Sequence, residues 1–358
     1  MKTLRLVVDP NNLETPSAQE ALTQAAAIIR AGGLVAFPTE TVYGLGANAL
    51  DQGAVEKIFQ AKQRPAWDPI IVHIAEDDSV QSMLDELVTE VPDAARKLMD
   101  AFWPGPLTLL LPRSAAVPDS VTAGRQLVGV RMPAHRVALE LIRRAGVPIA
   151  APSANTFGHT SPTTADHVLE DLDGRIDAVI DAGPTGYGLE STVLDSCQRP
   201  MVIYRPGAVT AQQILDIAGP VEVFRSVRPL VETPQSALPS PGVGLRHYAP
   251  KARLVLIEAP LFDLGSRLNQ AAQGFSGERI GVMLPAEVDP PIPNAVVFAW
   301  GSWAAPEDLG RNLYAGLRSL DAQDCTVILC PVPPSDGIGT AIRDRLGKAA
   351  SRQTLPLS

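Results

Sequence analysis

Short apolar runs, each four or five residues long and stopped by Pro, Gly or a charge, constrain this chain more than any other feature. Leu34-Val35-Ala36-Phe37 ends at Pro38; 70–74, 107–111, 127–131, 147–151, 177–181, 191–195 and 201–204 repeat the pattern. Runs of that length read as buried strands. Stretches with apolar residues at helical spacing separate many of them, as in Leu22, Ala25, Ala26 and Ile29. Ser17-Ala18-Gln19-Glu20 predicts a capping box for that helix, and Gly32-Gly33 its end. Further helices are expected near 54–62, 79–88, 92–101 and 135–145. Strands outnumber helices too much for simple βαβ repetition, so the expectation is a mixed α/β sheet.

Regularity fails over 216–251, where six prolines from Pro220 to Pro250 punctuate the chain. A connection that long is usually a functional lid or a linker. Beyond it the alternation is cleaner, with strands expected at 252–258, 279–284, 295–299 and 326–330 and helices near 261–273, 307–320 and 339–350. This predicts a small Rossmann-like parallel α/β domain. No Gly-x-Gly-x-x-Gly turn follows its first strand, so a dinucleotide site is not expected. The domains are therefore read as 1–215, a linker 216–251, and 252–358.

Charge and cysteine content narrow the function. A net charge of −9 argues against a chain that grips nucleic acid mainly by charge. Cys197, Cys325 and Cys330 are too few and too scattered for a disulfide framework or a zinc site. A reducing, cytoplasmic location is expected, with neither a signal peptide nor a membrane span.

Three segments carry candidate chemistry. Pro38-Thr39-Glu40-Thr41-Val42-Tyr43-Gly44 leaves a buried strand, where open α/β sheets place ligands; a polar turn is the equal alternative. Lys62-Gln63-Arg64 closes a helix and offers two cations to an anion. From spacing alone the better reading is two cations on a helix C-terminus. His73, in an apolar strand, reads from its surroundings as a core residue. Ala151-Pro152-Ser153-Ala154-Asn155, followed by Ser161 and Thr163-Thr164, suits a phosphate site or an ordinary helix cap. No nucleophilic triad, carboxylate pair or metal cluster stands out.

In order along the chain, Pro38 to Leu45, Lys62-x-Arg64, Pro69 to His73, Pro104-Gly105-Pro106-Leu107-Thr108, Val130-Arg131-Met132-Pro133, Ala151 to Asn155, Glu190-Ser191-Thr192-Val193 and Tyr204-Arg205-Pro206-Gly207 closely resemble the threonylcarbamoyl-AMP synthase family. Ser240-Pro241-Gly242, Arg246-His247-Tyr248-Ala249-Pro250 and Gly339 to Leu346 resemble the linker and second domain of its two-domain form. The resemblance implies a twisted mixed-sheet catalytic domain with a concave, cationic cleft. It also implies a nucleotidyltransferase that makes threonylcarbamoyl-AMP and pyrophosphate from L-threonine, bicarbonate and ATP. Mg²⁺ is the implied cofactor, and its ligands are not indicated. Downstream threonylcarbamoyl-transfer proteins and a weak contact with tRNA are the implied partners.

By carry-over, Thr41 (with Thr39 as its near alternative), His73, Arg131, Ala151 and Ser191 hold threonine. Arg64, Asp68, Ser153, Asn155, Ser161, Arg205 and Tyr248 hold ATP, with Lys62 and Arg64 as the catalytic cations. Asp68 departs from the family's usual Asn and brings a negative charge toward an anionic nucleotide. If Tyr248 reaches ATP, segment 236–250 acts as a lid. Two rival readings are a double-stranded RNA or tRNA binder without catalysis and a related carbamoyl-transfer enzyme. The net charge disfavours the first. The lack of zinc-finger cysteines disfavours the second.

Overall fold

The computed structural model describes residues 2–75, 83–224, 238, 240, 248–290 and 292–350. They fall into two compact units. The first holds the chain through Phe157, Ser161–Gly186, and Glu190 onward through the last strand of the large sheet. The second holds Gly158–Thr160, Tyr187–Leu189 and the chain from Tyr248.

The first unit is one mixed sheet. Its strands are β1 (Leu4–Val7), β2 (Val35–Pro38), β3 (Tyr43–Asn48), β4 (Ile71–His73), β5 (Leu107–Pro112), β6 (Leu127–Arg131), β7 (Ile149–Ala150), β8 (Ala178–Asp181), β9 (Thr192–Asp195), β10 (Met201–Arg205) and β11 (Val221–Val223). The spatial order is β1-β8-β2-β3-β7-β4-β6-β5-β9-β10-β11. One face is closed by Val72, Leu109, Val130 and Leu194 packing on the helices Gln52–Lys62, Asp93–Phe102, Ala165–Leu172 and Ala211–Ala218. On the opposite face, the helices Pro16–Arg30 and Arg136–Ala145 cover only the half around β2, β7 and β8, through Val35, Phe37, Ile149 and Ile180. The other half of that face carries the small cluster Ile71, Leu110 and Val193, and no helical residue joins it among the described residues. This helix-free half-face is where the candidate site lies.

Three local expectations change. The first helix starts before Ser17: Thr15 is its cap, accepting from the Ala18 amide at 3.3 Å, and Pro16 occupies the first turn. Proline tolerates that position because its missing N–H would have had no helical partner. Of the segment 38–46, for which a polar turn is one of two expected readings, only 39–42 turn; residues 43–48 form β3, an antiparallel hairpin partner of β2. The boundary drawn at 215 falls inside the helix Ala211–Ala218, and β11 beyond it pairs in parallel with β10. Most of the segment read as a lid, including Arg246 and His247, lies outside the described residues.

The second unit is, as its strand–helix alternation predicts, a parallel sheet of β12 (Arg253–Ile257), β13 (Ile280–Pro285), β14 (Val296–Gly301) and β15 (Val327–Pro331); their spatial order is β12-β15-β13-β14. Its helices are Leu261–Gln273, Pro306–Ala322 and Gly339–Ala350.

Candidate active site

Sheet register brings the first group together. His73 on β4 pairs with Arg131 on β6. Leu109 pairs with Val130, which sets Thr108 opposite Arg131, and Thr108 pairs with Val193 on β9. Directly opposed residues share a face, so His73, Arg131 and Thr108 form a row across the helix-free half-face. The β2–β3 hairpin delivers Thr39, Glu40 and Thr41 to it. Thr39 shapes that turn, accepting from the Thr41 and Val42 amides and lying 2.8 Å from the Thr41 hydroxyl.

Arg131 organises this end. Its Nε donates to the Gly105 carbonyl at 3.1 Å and its Nη1 to the Thr41 hydroxyl at 3.0 Å. Nη2 lies 2.6 Å from Glu40 Oε1, an ion pair between two buried side chains. The angles of that contact leave both Glu40 oxygens without a well-directed hydrogen bond among the described residues. Further along the row, the Thr108 and Ser191 hydroxyls are 2.8 Å apart, and Arg205 donates to the Ser191 carbonyl and hydroxyl at 3.0 and 3.1 Å. Ser161 donates to Glu190 at 2.5 Å.

His73 is buried with its ring edge-on to Phe37. Burial, reinforced by the Arg131 charge, lowers its pKa to about 3. Unfolded histidine titrates near ~6.5, so below that pH the unfolded chain binds a proton that the native state refuses. This contribution to stability is intact above pH ~6.5 and falls by about 1.4 kcal/mol per pH unit as the pH drops toward the folded pKa. Urea unfolding at pH 7 and pH 5 should show that loss, and His73→Phe should flatten it; an unchanged slope in the variant would assign the loss to other groups.

The second group forms around Lys62, the last residue of the helix Gln52–Lys62. Asp51 caps the start of that helix, and Gln63, in the left-handed region at φ 55°, turns the chain out of it. Lys62 is only 1% exposed and donates to the carbonyls of Ser153 and Asn155. It is therefore not a solvated helix-end cation. Burial holds its pKa well below the usual lysine range, and the neighbouring Arg64 charge adds to this. Arg64 donates to the carbonyls of Asp68 and Pro69 at 3.2 and 2.7 Å and lies over the Phe157 ring. Its Nη2 is 3.0 Å from the Asp68 carboxylate, which is 0% exposed. Burial pushes the Asp68 carboxyl up, against the pull of Arg64, Lys62 and Arg205.

Backbone bonds join the two groups. The Tyr43 carbonyl accepts from the Ala154 amide at 2.8 Å, Leu45 N donates to Pro152 O at 2.8 Å, and Tyr43 N to Pro162 O at 2.9 Å. Ala151 N donates to Ile71 O at 2.9 Å, which fixes the loop after β7 beside β4. Residues 39–43, 62–64 and 151–155 thus belong to one constellation. Arg205, carried over as a nucleotide residue, bonds to Ser191, carried over as a threonine residue. Tyr248 is described in the second unit, stacked on Tyr314 at 5.8 Å with Arg345 over its ring. Glu40, Thr108 and Glu190 take part in the network although none was singled out from the sequence. The signal for each was its place inside a quoted motif. Among the described residues no three His, Cys, Asp or Glu side chains gather as a metal site, and no helix is long and apolar enough to cross a membrane.

Known proteins match both units. The Sua5/YciO/YrdC family, described as "Telomere recombination", matches residues 27–207, and "Threonylcarbamoyl-AMP synthase, C-terminal domain" matches 209–351. The chain is 44% identical to the threonylcarbamoyl-AMP synthase of Bacillus subtilis over 356 residues, 99% of this chain and 100% of that protein. It is 44% identical to the threonylcarbamoyl-AMP synthase of Pyrococcus abyssi, covering 91% of this chain and 93% of the relative. The crystal structure of P. abyssi Sua5 complexed with L-threonine aligns with a TM-score of 0.86 at 40% identity, over 98% of each chain. On these grounds the chain belongs to the threonylcarbamoyl-AMP synthase family, in its two-domain form.

Proposed function

We propose that this enzyme makes L-threonylcarbamoyl-AMP and pyrophosphate from L-threonine, bicarbonate and ATP, as a nucleotidyltransferase. The observation that carries the reading is the bonded constellation itself. A hydroxyl and guanidinium group (Thr41, Arg131, His73, Ser191) is tied through Tyr43 and residues 152–154 to a buried cation group, Lys62 and Arg64. The first suits a small polar amino acid and the second suits phosphates.

In this reading, threonine's ammonium first gives up a proton to solvent, and the free amine then takes up the carboxylate from bicarbonate with loss of water. An oxygen of the resulting N-carboxylate then attacks the α-phosphorus of ATP. The bond from that phosphorus to the bridging oxygen breaks, and its electrons leave with pyrophosphate. This reading needs no protein nucleophile, so the contribution of the described residues is alignment and charge. In-line positioning is worth ~7–11 kcal/mol in favourable cases. Lys62 and Arg64 offset the negative charge spreading over the phosphate oxygens. Arg131 takes the α-carboxylate, Thr41 and Ser191 the hydroxyl, and His73 stays neutral beside them. Ser153, Asn155 and Ser161 line the phosphates, with Arg205 linking the two halves. A magnesium ion would supply further charge neutralisation, but the described residues offer it no ready ligand set: no three His, Cys, Asp or Glu side chains gather, and Asp68, the carboxylate beside Arg64, is enclosed and paired with that guanidinium. The product is a mixed anhydride, suited to transfer of the threonylcarbamoyl group to a tRNA adenosine by other proteins.

Asp68 competes with phosphate for Arg64. Asp68→Asn keeps the shape and removes the competing charge, so the KM for ATP should fall several-fold, read from initial rates at saturating threonine. A higher KM would mean that the carboxylate assists the nucleotide instead. The reading as a whole is tested by pyrophosphate release with ATP, bicarbonate and each amino acid in turn. Release that depends on threonine supports it, and release blind to the amino acid refutes it.

A further inference from the structure

Glu40 is a charged side chain of the threonine end to which the reaction above gives no task. It is buried. Both its oxygens lack a well-directed hydrogen bond among the described residues, although Arg131 Nη2 lies 2.6 Å from one of them. A buried carboxylate in that state is costly unless something completes its shell. His135, the cap residue of the helix Arg136–Ala145, also lies within reach of its field.

Arg131 is committed differently. Its Nε bonds to Gly105 O, its Nη1 to Thr41 Oγ1, and its Nη2 faces Glu40. A guanidinium has five N–H groups, so two remain for an incoming carboxylate. An anion that wants donors therefore stands directly beside a cation with donors to spare. A free α-amino acid carries the complementary pair, an ammonium and a carboxylate on one carbon.

We propose that Glu40 is a specificity-determining residue that receives the α-ammonium of the amino-acid substrate while Arg131 receives its α-carboxylate. The proposal rests on the reading of this pocket as the threonine site. It adds a reason why the site takes an amino acid rather than any hydroxy acid of the same shape. Replacing the ammonium by a hydroxyl removes the positive charge, and the buried carboxylate must then share Arg131 with the ligand's own carboxylate, with no second cation beside it.

Calorimetric titration of the full chain tests this with two ligands, L-threonine and 2,3-dihydroxybutanoate, in which a hydroxyl replaces the ammonium. Glu40→Gln should weaken threonine binding about 10- to 100-fold, as expected for a lost charge-assisted hydrogen bond. The same variant should change binding of the dihydroxy acid by less than about threefold, and leave ATP binding unaltered as a check on the fold. Equal weakening of both ligands would mean that Glu40 only holds Arg131 in place and would overturn the proposal. Unchanged threonine binding would overturn it as well. Should Glu40→Gln not fold, Glu40→Asp keeps the charge but withdraws it by one methylene, and should weaken threonine alone. Wild-type protein that binds threonine in this Glu40-dependent way but makes no threonylcarbamoyl-AMP would sink the proposed reaction and leave this inference standing. Failure of wild type to bind threonine at all would sink both.

Discussion

Lys62→Met should lower threonine-dependent pyrophosphate release by about 10²–10³-fold, the scale seen when one preorganised charge-stabilising group is removed. Methionine keeps much of the stem that packs at the end of the helix Gln52–Lys62 and removes only the ammonium. Two things are lost together. The carbonyls of Ser153 and Asn155 lose the donor that fixes their loop. The nucleotide loses a cation that is buried and already in place, so that no reorganisation is needed when charge develops on the phosphates. Desolvation pulls Lys62 toward its neutral form, and nucleotide phosphates beside it would hold it charged; a charge at 1% exposure is then hardly screened by water or salt. Steady-state rates at saturating ATP separate the two losses, because a binding defect alone is overcome by substrate whereas a transition-state defect is not. A drop of less than about tenfold in kcat would remove Lys62 from the chemistry.

Arg131→Met has the largest expected effect on the fold, and it removes threonine binding as well. The substitution leaves Glu40 buried with its ion-pair partner gone. Breaking a buried pair from one side typically costs about 3–5 kcal/mol, a large part of a typical domain's stability. It also takes the donors from Gly105 O and Thr41 Oγ1, so the hairpin turn and the loop before β5 both loosen. Urea denaturation should show a midpoint shift of that size without a change in slope. The double variant Arg131→Met, Glu40→Gln should recover part of the loss, because it no longer buries a lone charge. A loss under about 1 kcal/mol in the single variant would show that the pair is not buried in solution.

How far the chain could be read beforehand depended on which physical signal each element leaves. The strand–helix alternation of the second unit is legible because its strands are continuous apolar runs, and the two central ones, β13 and β15, are buried on both faces. β3 is not, because it reads Tyr43-Gly44-Leu45-Gly46-Ala47-Asn48. Glycine usually marks a turn, but here it makes room: a Cβ at Gly46 would lie 2.7 Å from the Phe37 ring. β1 escapes notice because three of its four residues are exposed, so its apolar run is broken. The helix Ala211–Ala218 and β11 are hidden by the prolines around them, although Thr210 and Gln213 form a regular capping box.

The site divides the same way. Ordered motifs point to its members, but not to their state of burial. Lys62 and Arg64 read alone as helix-end cations, and only the fold reveals that one is enclosed and the other clasped by Asp68. Asp68, which as a sequence departure suggested a misplaced charge, has Arg64 as its counter-ion. Glu40 gives no signal of its own, since a carboxylate between two threonines in a turn reads as solvated. Its importance follows from register: β4, β6 and the β2–β3 hairpin converge, and the turn is carried inward onto Arg131.

The most direct test of the account is the product itself. The protein should be incubated with ATP, L-threonine and carbon-13 bicarbonate, and the nucleotides separated and weighed by mass spectrometry. The account predicts an adenylate that carries threonine and the labelled carbon together, formed in step with pyrophosphate. AMP and pyrophosphate appearing with no adenylate that holds both threonine and the label, or no turnover of ATP at all, would contradict it.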